Sequence, residues 1–441
     1  MMRSMFAGIS GLKAHQMKMD VIGNNIANVN TIGYRAGRIT FQEVFNQTLK
    51  GASAPDSALG RGGTNPMQIG LGTGIGSIDT IITGGSQQRT DSPLDLSIDG
   101  DGFFIVKGSK ADTFMFTRAG NFTRDLLGNL VTSGGMSVYG WMDYGEKMND
   151  DGTFSFNVNK PVEPINLYTD DYNGNKQVIA AKATENISFA GNLDTRYPTV
   201  AAGDDAQIIV PMIVYDSLGN EYEIAMAYRK IEAAGGITTW EWSIKGGDLT
   251  TTASGEISFD SDGKIILDAP DATNPRVTPV INLIPADSIG SKAFDVKLDL
   301  RKLTMFADES SVKPLNSDGY PPGKLSSFSI GNDGIIMGIY SNGKPKPLGM
   351  IALAEFENPA GLQKTGNNMY IQTSNSGVFR SGIKPGTGST GTLNPGTLEM
   401  SNVDLASQFT DMIITQRGFQ ANSRIMTTVD EMLQEMVNMK R

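Results

Sequence analysis

Apolar residues recur at every seventh position over both ends of the chain. At the front they are Met5, Leu12, Met19 and Ile26, with Ile22 and Val29 beside them. At the back they are Leu405, Met412, Phe419, Met426 and Leu433, flanked by Phe409, Val429 and Met436. Sustained seven-residue spacing predicts two amphipathic helices paired as a coiled coil. The pattern places the first over residues 4–29. Gly8 and Gly11 weaken it by about 1 kcal/mol each relative to Ala. Asn24, Asn25, Asn28 and Asn30 crowd its end, so it is marginal alone and needs a partner. Gly33, after Thr31 and Ile32, is placed to stop it. The second helix is expected from Ser401 as N-cap, with Asp404 completing a capping box. A run of roughly 38 residues gives a rod of about 57 Å.

The middle of the chain has a different period. Ile39 to Leu49 reads as one short helical or extended run, and Gly51 to Gly76 as a Gly/Ser/Pro-rich connector. From Ile78 the alternation becomes two, through Leu96–Val106 and Phe114–Tyr144. Asp-Gly and Asn-Gly pairs then recur at Asp151-Gly152, Asn173-Gly174, Asp262-Gly263, Asp318-Gly319, Asp333-Gly334 and Asn342-Gly343. Each supplies residues that tolerate positive φ in tight hairpins. Strands are expected at Lys182–Asn192, Gln207–Tyr215, Tyr222–Ile231 and Thr238–Ile244, with a breakpoint at Asn316–Gly323. Short strands at this spacing predict antiparallel all-β sandwiches or barrels, and the chain length roughly two to four domains.

Composition narrows the chemistry. There is no cysteine, so no disulfide, thiol nucleophile, Cys-based metal site or cysteine-derived cross-link can form. The single histidine, His15, rules out a site with two histidine ligands in one chain. It reads as a polar residue on or near the helix seam. The net charge of −10 argues against nucleic acid as a partner, although residues 1–38 carry Arg3, Lys13, Lys18, Arg35 and Arg38 against Asp20 alone. No stretch approaches the roughly 20 apolar residues of a membrane span. Gly8, Ser10, Gly11 and Lys13 interrupt any secretory h-region. Gly70–Gly76 lacks the G-x-G-x-x-G spacing, and Gly338–Lys344 is followed by Pro345 where a phosphate loop needs Ser or Thr; the latter reads as a hairpin tipped by Asn342-Gly343. Asp99-Gly100-Asp101 and Asp260–Gly263 do not complete a calcium loop. No catalytic residue, cofactor or metal is expected. Of the 22 Met, Met5, Met19, Met412, Met426, Met432 and Met436 lie on the helical stripes, either as core filling or as a seam that can slide between packings.

The ends resemble a known family. Gly23-Asn24-Asn25-Ile26-Ala27-Asn28-Val29-Asn30-Thr31-Ile32-Gly33-Tyr34 is similar to the N-terminal signature of bacterial flagellar rod and hook axial proteins, with Ile32 where the family commonly has Pro. Gly396-Thr397-Leu398-Glu399-Met400-Ser401-Asn402-Val403-Asp404-Leu405 and Gln416-Arg417-Gly418-Phe419-Gln420-Ala421-Asn422-Ser423 resemble the C-terminal signature, in which position 418 is often larger. Ile98–Phe104 and Phe116–Phe122 resemble the hook and distal-rod branch, and Val214–Asn220 the hook's outer domain. The long insertion favours hook over distal rod.

The resemblance implies a self-assembling, non-enzymatic subunit of the curved tube between rod and filament. Its implied partners are copies of itself, distal rod, hook cap and hook–filament junction proteins, and the type III export apparatus. It implies an extracellular hook or basal-body location reached without a cleaved signal. It implies helical segments 1–30 and 401–441 lining the tube, connectors 31–76 and 386–400, a middle β domain of 77–145 with 318–385, and an outer β domain of 146–317. The expected assembly residues are Met5, Leu12, Met19, Ile22, Asn24, Asn25, Ile26, Asn28, Thr31, Gly33 and Tyr34 at one end. At the other they are Ser401, Asn402, Val403, Asp404, Leu405, Phe409, Met412, Gln416, Arg417, Phe419, Asn422, Met426 and Leu433. The alternatives are a distal rod subunit and a secreted oligomeric β-domain binding protein.

Overall fold

A computed structural model of the chain describes residues 2–55, 62–108, 113–144, 154–172, 174–199, 207–245, 253–267, 277–285 and 290–439. The expected Asp151-Gly152 turn and Asn173 lie outside them. The protein is mostly β, with a helix at each end: α1, Met2–Ala27, and α2, Leu405–Asn438. Contacts divide the chain into two units. One is Met1–Gly174 with Phe328–Met337 and Pro347–Arg441; the other is Asn175–Ser327 with Gly338–Lys346.

In the first unit, α2 has 34 residues, about 51 Å of helix. Its cap differs from expectation. Asp404 is the N-cap, and its carboxylate accepts from the Ala406 and Ser407 N–H groups. Ser401 instead accepts from Val403 N–H in the turn before it. An ionised carboxylate one turn closer to the exposed N–H groups displaces the serine hydroxyl from that role. The run expected at Ile39–Leu49 is two strands, Gly37–Glu43 and Asn46–Lys50. The first pairs antiparallel with Thr73–Thr80, and the second with Met67–Gly70.

The outgoing and returning chains then pair with each other. Leu96–Asp99 pairs with Thr392–Pro395, and Gln87–Arg89 with Thr397–Glu399. Phe103–Lys107 pairs with Met115–Thr117, Ser137–Trp141 and Leu353–Ala354. Their side chains Phe103, Ile105, Phe116 and Trp141 form one buried core with Met350 and Tyr370 of the neighbouring strands Pro345–Ile351 and Met369–Ile371. Phe116 meets Phe356 edge to face at 4.7 Å, a favoured aromatic geometry.

The second unit holds two four-stranded sheets. One is the meander Ile208–Tyr215, Glu221–Ala234, Ile237–Lys245 and Ser254–Phe259. The other runs Val280–Leu283, Phe294–Thr304, Asn186–Asn192, Lys313–Ser317, with Asn186–Asn192 parallel to Phe294–Thr304. The strand expected from Lys182 therefore starts at Asn186. Alternate residues of both sheets, including Val210, Met212, Val214, Trp240, Trp242, Ile187, Phe189, Leu298 and Leu300, share one core, as a period of two dictates. At the Asp216–Asn220 turn, the Asp216 carboxylate accepts from the Leu218 and Asn220 N–H groups, the Asn220 amide and the Tyr222 hydroxyl. Asn342-Gly343 does tip a hairpin, with Gly343 at φ 75° and its N–H donating to Tyr340 O.

Candidate assembly interface

α1 and α2 lie antiparallel. Asn25 Nδ2 donates to Gln408 Oε1 at 3.0 Å, Lys18 Nζ lies 3.1 Å from Asp411 Oδ1, and Gly8 lies beside Asn422, Ile425 and Met426. As one number rises the other falls. The seam on α1 consists of Gly8, Gly11, His15, Lys18, Ile22 and Asn25, of which Gly8, Gly11, Ile22 and Asn25 are buried. Met5, Leu12, Met19 and Ile26 are half-buried at its margin. The glycines that weaken the isolated helix are thus the points of close approach, because a missing Cβ lets the partner helix come nearer.

On α2 Met412, Phe419, Met426 and Leu433 are half-buried, with Met426 and Asn422 beside the glycines of α1, whereas Leu405 is 39% and Phe409 51% exposed. The contacts to α1 fall at Gln408, Asp411, Gly418 and Asn422, a spacing of three, seven and four residues that keeps one face of α2 against its partner. The apolar stripe lies at the margin of that face. Gln416 and Arg417 are exposed, and Arg417 donates to Gln420 Oε1. Only Thr415 and Val429 of α2 are buried. Ile413, Ile414, Ile425, Met432, Met436 and Val437 are all exposed.

The asparagines at the end of α1 build its exit. Asn28 Nδ2 donates to Asn24 O and Oδ1, and Thr31 Oγ1 to Asn28 Oδ1, which satisfies helix-end carbonyls locally. Asn25 makes four bonds. It donates to Gly37 O and Gln408 Oε1, and accepts from Gly37 N–H and the Tyr34 hydroxyl. Gly33 has φ 67°, and a Cβ there would lie 2.7 Å from Ala119 N and 2.8 Å from Arg118 C. Asn402 ties the returning chain to the outgoing one. Its Oδ1 accepts from Ala36 N–H and its Nδ2 donates to Ile81 O and Thr83 O. Burial raises the Tyr34 hydroxyl above its usual range.

Beneath this exit lies a cluster absent from the expected residues. Arg35, Arg118 and Glu399 are fully buried. Glu399 Oε1 accepts from Arg35 at 2.6 Å and from Gly85 N–H at 3.0 Å, and Oε2 lies 3.4 Å from Arg118. Arg118 also donates to Gly100 O and stacks over Phe103. Desolvation lowers the Arg118 guanidinium from its usual range against the pull of Glu399. Desolvation, with Arg35 nearby, lowers the Lys364 ammonium, which donates to Arg35 O. Burial pushes the adjacent Tyr370 hydroxyl up to about 12. All three charged residues flank or sit within recognisable motifs. A lone charge beside apolar residues ordinarily marks a solvated face, so the sequence carried no signal for their meeting.

Four stretches match family descriptions. Residues 5–35 match "Flagella basal body rod protein", 97–171 "Flagellar hook protein FlgE/F/G D1 domain", 192–320 "Flagellar basal body protein FlaE D2 domain", and 394–439 "Flagellar basal body rod FlgEFG protein C-terminal". The chain is 40% identical over 465 aligned positions to the flagellar hook protein FlgE of Borreliella burgdorferi, and 38% over 483 to that of Treponema pallidum. It is 31% identical over 441 to the flagellar basal-body rod protein FlgG of Bacillus subtilis. Each alignment covers the whole of both chains.

Proposed function

Since this chain belongs to the flagellar hook protein FlgE family and is a structural subunit of the hook, not an enzyme, we propose that it polymerises with copies of itself through α1 and α2, paired as a coiled coil on the inner wall of a tube. The observation that carries this reading is the exposed apolar surface of α2, from Phe409, Ile413 and Ile414 to Met432, Met436 and Val437. A helix that keeps this much apolar surface uncovered beside its one partner helix is covered when neighbouring subunits pack on it. Segments 77–145 with 318–385 then form the middle layer and 146–317 the outer one, with 31–76 and 386–400 linking them to the helices. The expected assembly residues serve in two groups: the stripe residues in helix packing, and Asn24–Tyr34 with Ser401–Asp404 in setting the angle at which the helices leave the β body. Distal rod, cap and junction proteins would meet the ends of the polymer, and the chain would reach it unfolded through a type III apparatus with no signal cleaved.

Truncation tests this. Deleting residues 1–30 and 401–441 should leave a soluble monomer that forms no polymer, measured by sedimentation and electron microscopy. Tubes from that fragment would overturn the role given to the helices. The 31% identity to a rod protein supplies the competing reading. A curved, supercoiled polymer supports hook, and a straight rigid one supports distal rod.

A further inference from the structure

The helix pair contains a contact that apolar periodicity does not describe. Two glycines each face a polar side chain of the opposite helix. A methyl group at Gly11 would stand 2.8 Å from Asn422 Nδ2, and one at Gly418 would stand 2.6 Å from His15 Cε1 and 2.7 Å from Nε2. Neither polar side chain is free to move aside without loss. Asn422 Nδ2 donates to Gly418 O at 3.1 Å, and the imidazole is held on another side by the edge of Phe41 at 5.7 Å. Gly11 and His15 are four residues apart on α1, and Gly418 and Asn422 four apart on α2. Each pair therefore lies on one helix face. Antiparallel packing puts the side chain of each helix into the gap left by the other's glycine.

The apolar stripe alone leaves the register of this pair ambiguous. Its residues repeat every seventh position, so a slip of one heptad still sets apolar against apolar. The glycine contacts do not survive that slip. Gly418 is the sole glycine of α2. One heptad in either direction would set His15 against Asp411 or Ile425, and Gly11 against Thr415 or Val429. We propose that His15 over Gly418 and Asn422 over Gly11 form a reciprocal lock that selects the register of α1 against α2, making His15 and Asn422 positioning residues for assembly. This rests on the reading that helix pairing drives assembly.

The lock is sensitive to acid. His15 Nδ1 is buried without a hydrogen-bond partner among the described residues. Lys18 follows it on α1 and is paired with Asp411 of α2; Arg417 of α2 is engaged with Gln420, and the strand beneath presents the neutral Phe41. Burial and then Lys18 lower the imidazole from its usual range. With the packed-state value below the free value of about 6.5, separated helices take up the proton more readily. The lock is at full strength above about pH 6.5 and weakens as pH falls through that range.

The test is a double-mutant cycle on the full chain, read as the critical concentration for seeded polymerisation. Gly418→Ala should raise that concentration about tenfold more with His at position 15 than in a His15→Ala background. Gly11→Ala should show the same dependence on Asn422 against Asn422→Ala. Lowering pH from 7.5 to 5.5 should raise the critical concentration several-fold more for the unsubstituted chain than for His15→Gln. The cycle cancels the helix-propensity gain of each Gly→Ala. Additivity within twofold in both cycles, with His15→Gln sharing the parental pH profile, overturns the lock. A third cycle, Lys18→Asp with Asp411→Lys, reports helix pairing itself. Rescue there, with failure of the glycine cycles, sinks the lock alone; failure of all three sinks the antiparallel pairing as well.

Discussion

Replacing Glu399 with Gln removes one negative charge and almost no volume. Glu399 is held by Arg35 at 2.6 Å, by Arg118 at 3.4 Å and by the Gly85 N–H at 3.0 Å, and all three side chains are fully buried. The amide oxygen of Gln can still accept from Gly85, so what is lost is the counter-charge to two guanidiniums that water does not reach. Breaking a buried ion pair by removing one partner costs about 3–5 kcal/mol. For a unit of this size each kcal/mol lowers the midpoint by about 2–4 °C, so a drop of about 10 °C is expected. Trp141 lies in the first unit and Trp240 and Trp242 in the second. In a chain carrying Trp240→Phe and Trp242→Phe, the emission of Trp141 follows the first unit alone. Adding Arg35→Met to Glu399→Gln removes a stranded cation and should recover part of the loss. A midpoint for Glu399→Gln within about 1 °C of its parent, with no effect of Arg35→Met on it, would refute the argument that buried charge holds this junction.

Asn25→Ala strands the N–H and O of Gly37 and should cost about 3 kcal/mol, seen as faster hydrogen exchange at the Gly37 amide; unchanged exchange counts against its role at the helix exit. Gly33→Ala meets the backbone of Arg118 and Ala119, which cannot rotate away, and forces an L residue to φ 67°. It should abolish native Trp141 emission, and a native spectrum would contradict the geometry. In the second unit, desolvation of Asp216 is outweighed by hydrogen bonds from Asn220 and Tyr222, so its carboxyl titrates below the usual range. That contribution is complete above the free carboxylate value of about 3.9 and is lost as pH falls through the lower folded value. Urea unfolding followed by Trp240 and Trp242 should therefore show a fall in stability below about pH 4 that Asp216→Asn reduces.

Local rules made much of this protein legible. Period seven marked both terminal helices, period two marked the sheets, and Asn342-Gly343 and Asp216–Asn220 announced their turns, because helix pitch, strand pleat and positive-φ tolerance are properties of a few adjacent residues. The motifs at Asn24–Tyr34 and Ser401–Asp404 located the exit of the helices as well. Tertiary structure decided what adjacency cannot express. The apolar stripe of each helix lies at the margin of the seam, whose centre is glycines and polar side chains, so the period of seven did not say which positions touch. Gly8 and Gly11 read as weaknesses, and Gly418 as a position where the resembling family often has a larger residue, until the opposite helix arrives, since a missing side chain has value only to whatever occupies its place. Arg35, Arg118 and Glu399 stand far apart in the chain and are ordinary surface charges to any local rule. They become a buried cluster only when the outgoing and returning strands close over them and exclude water.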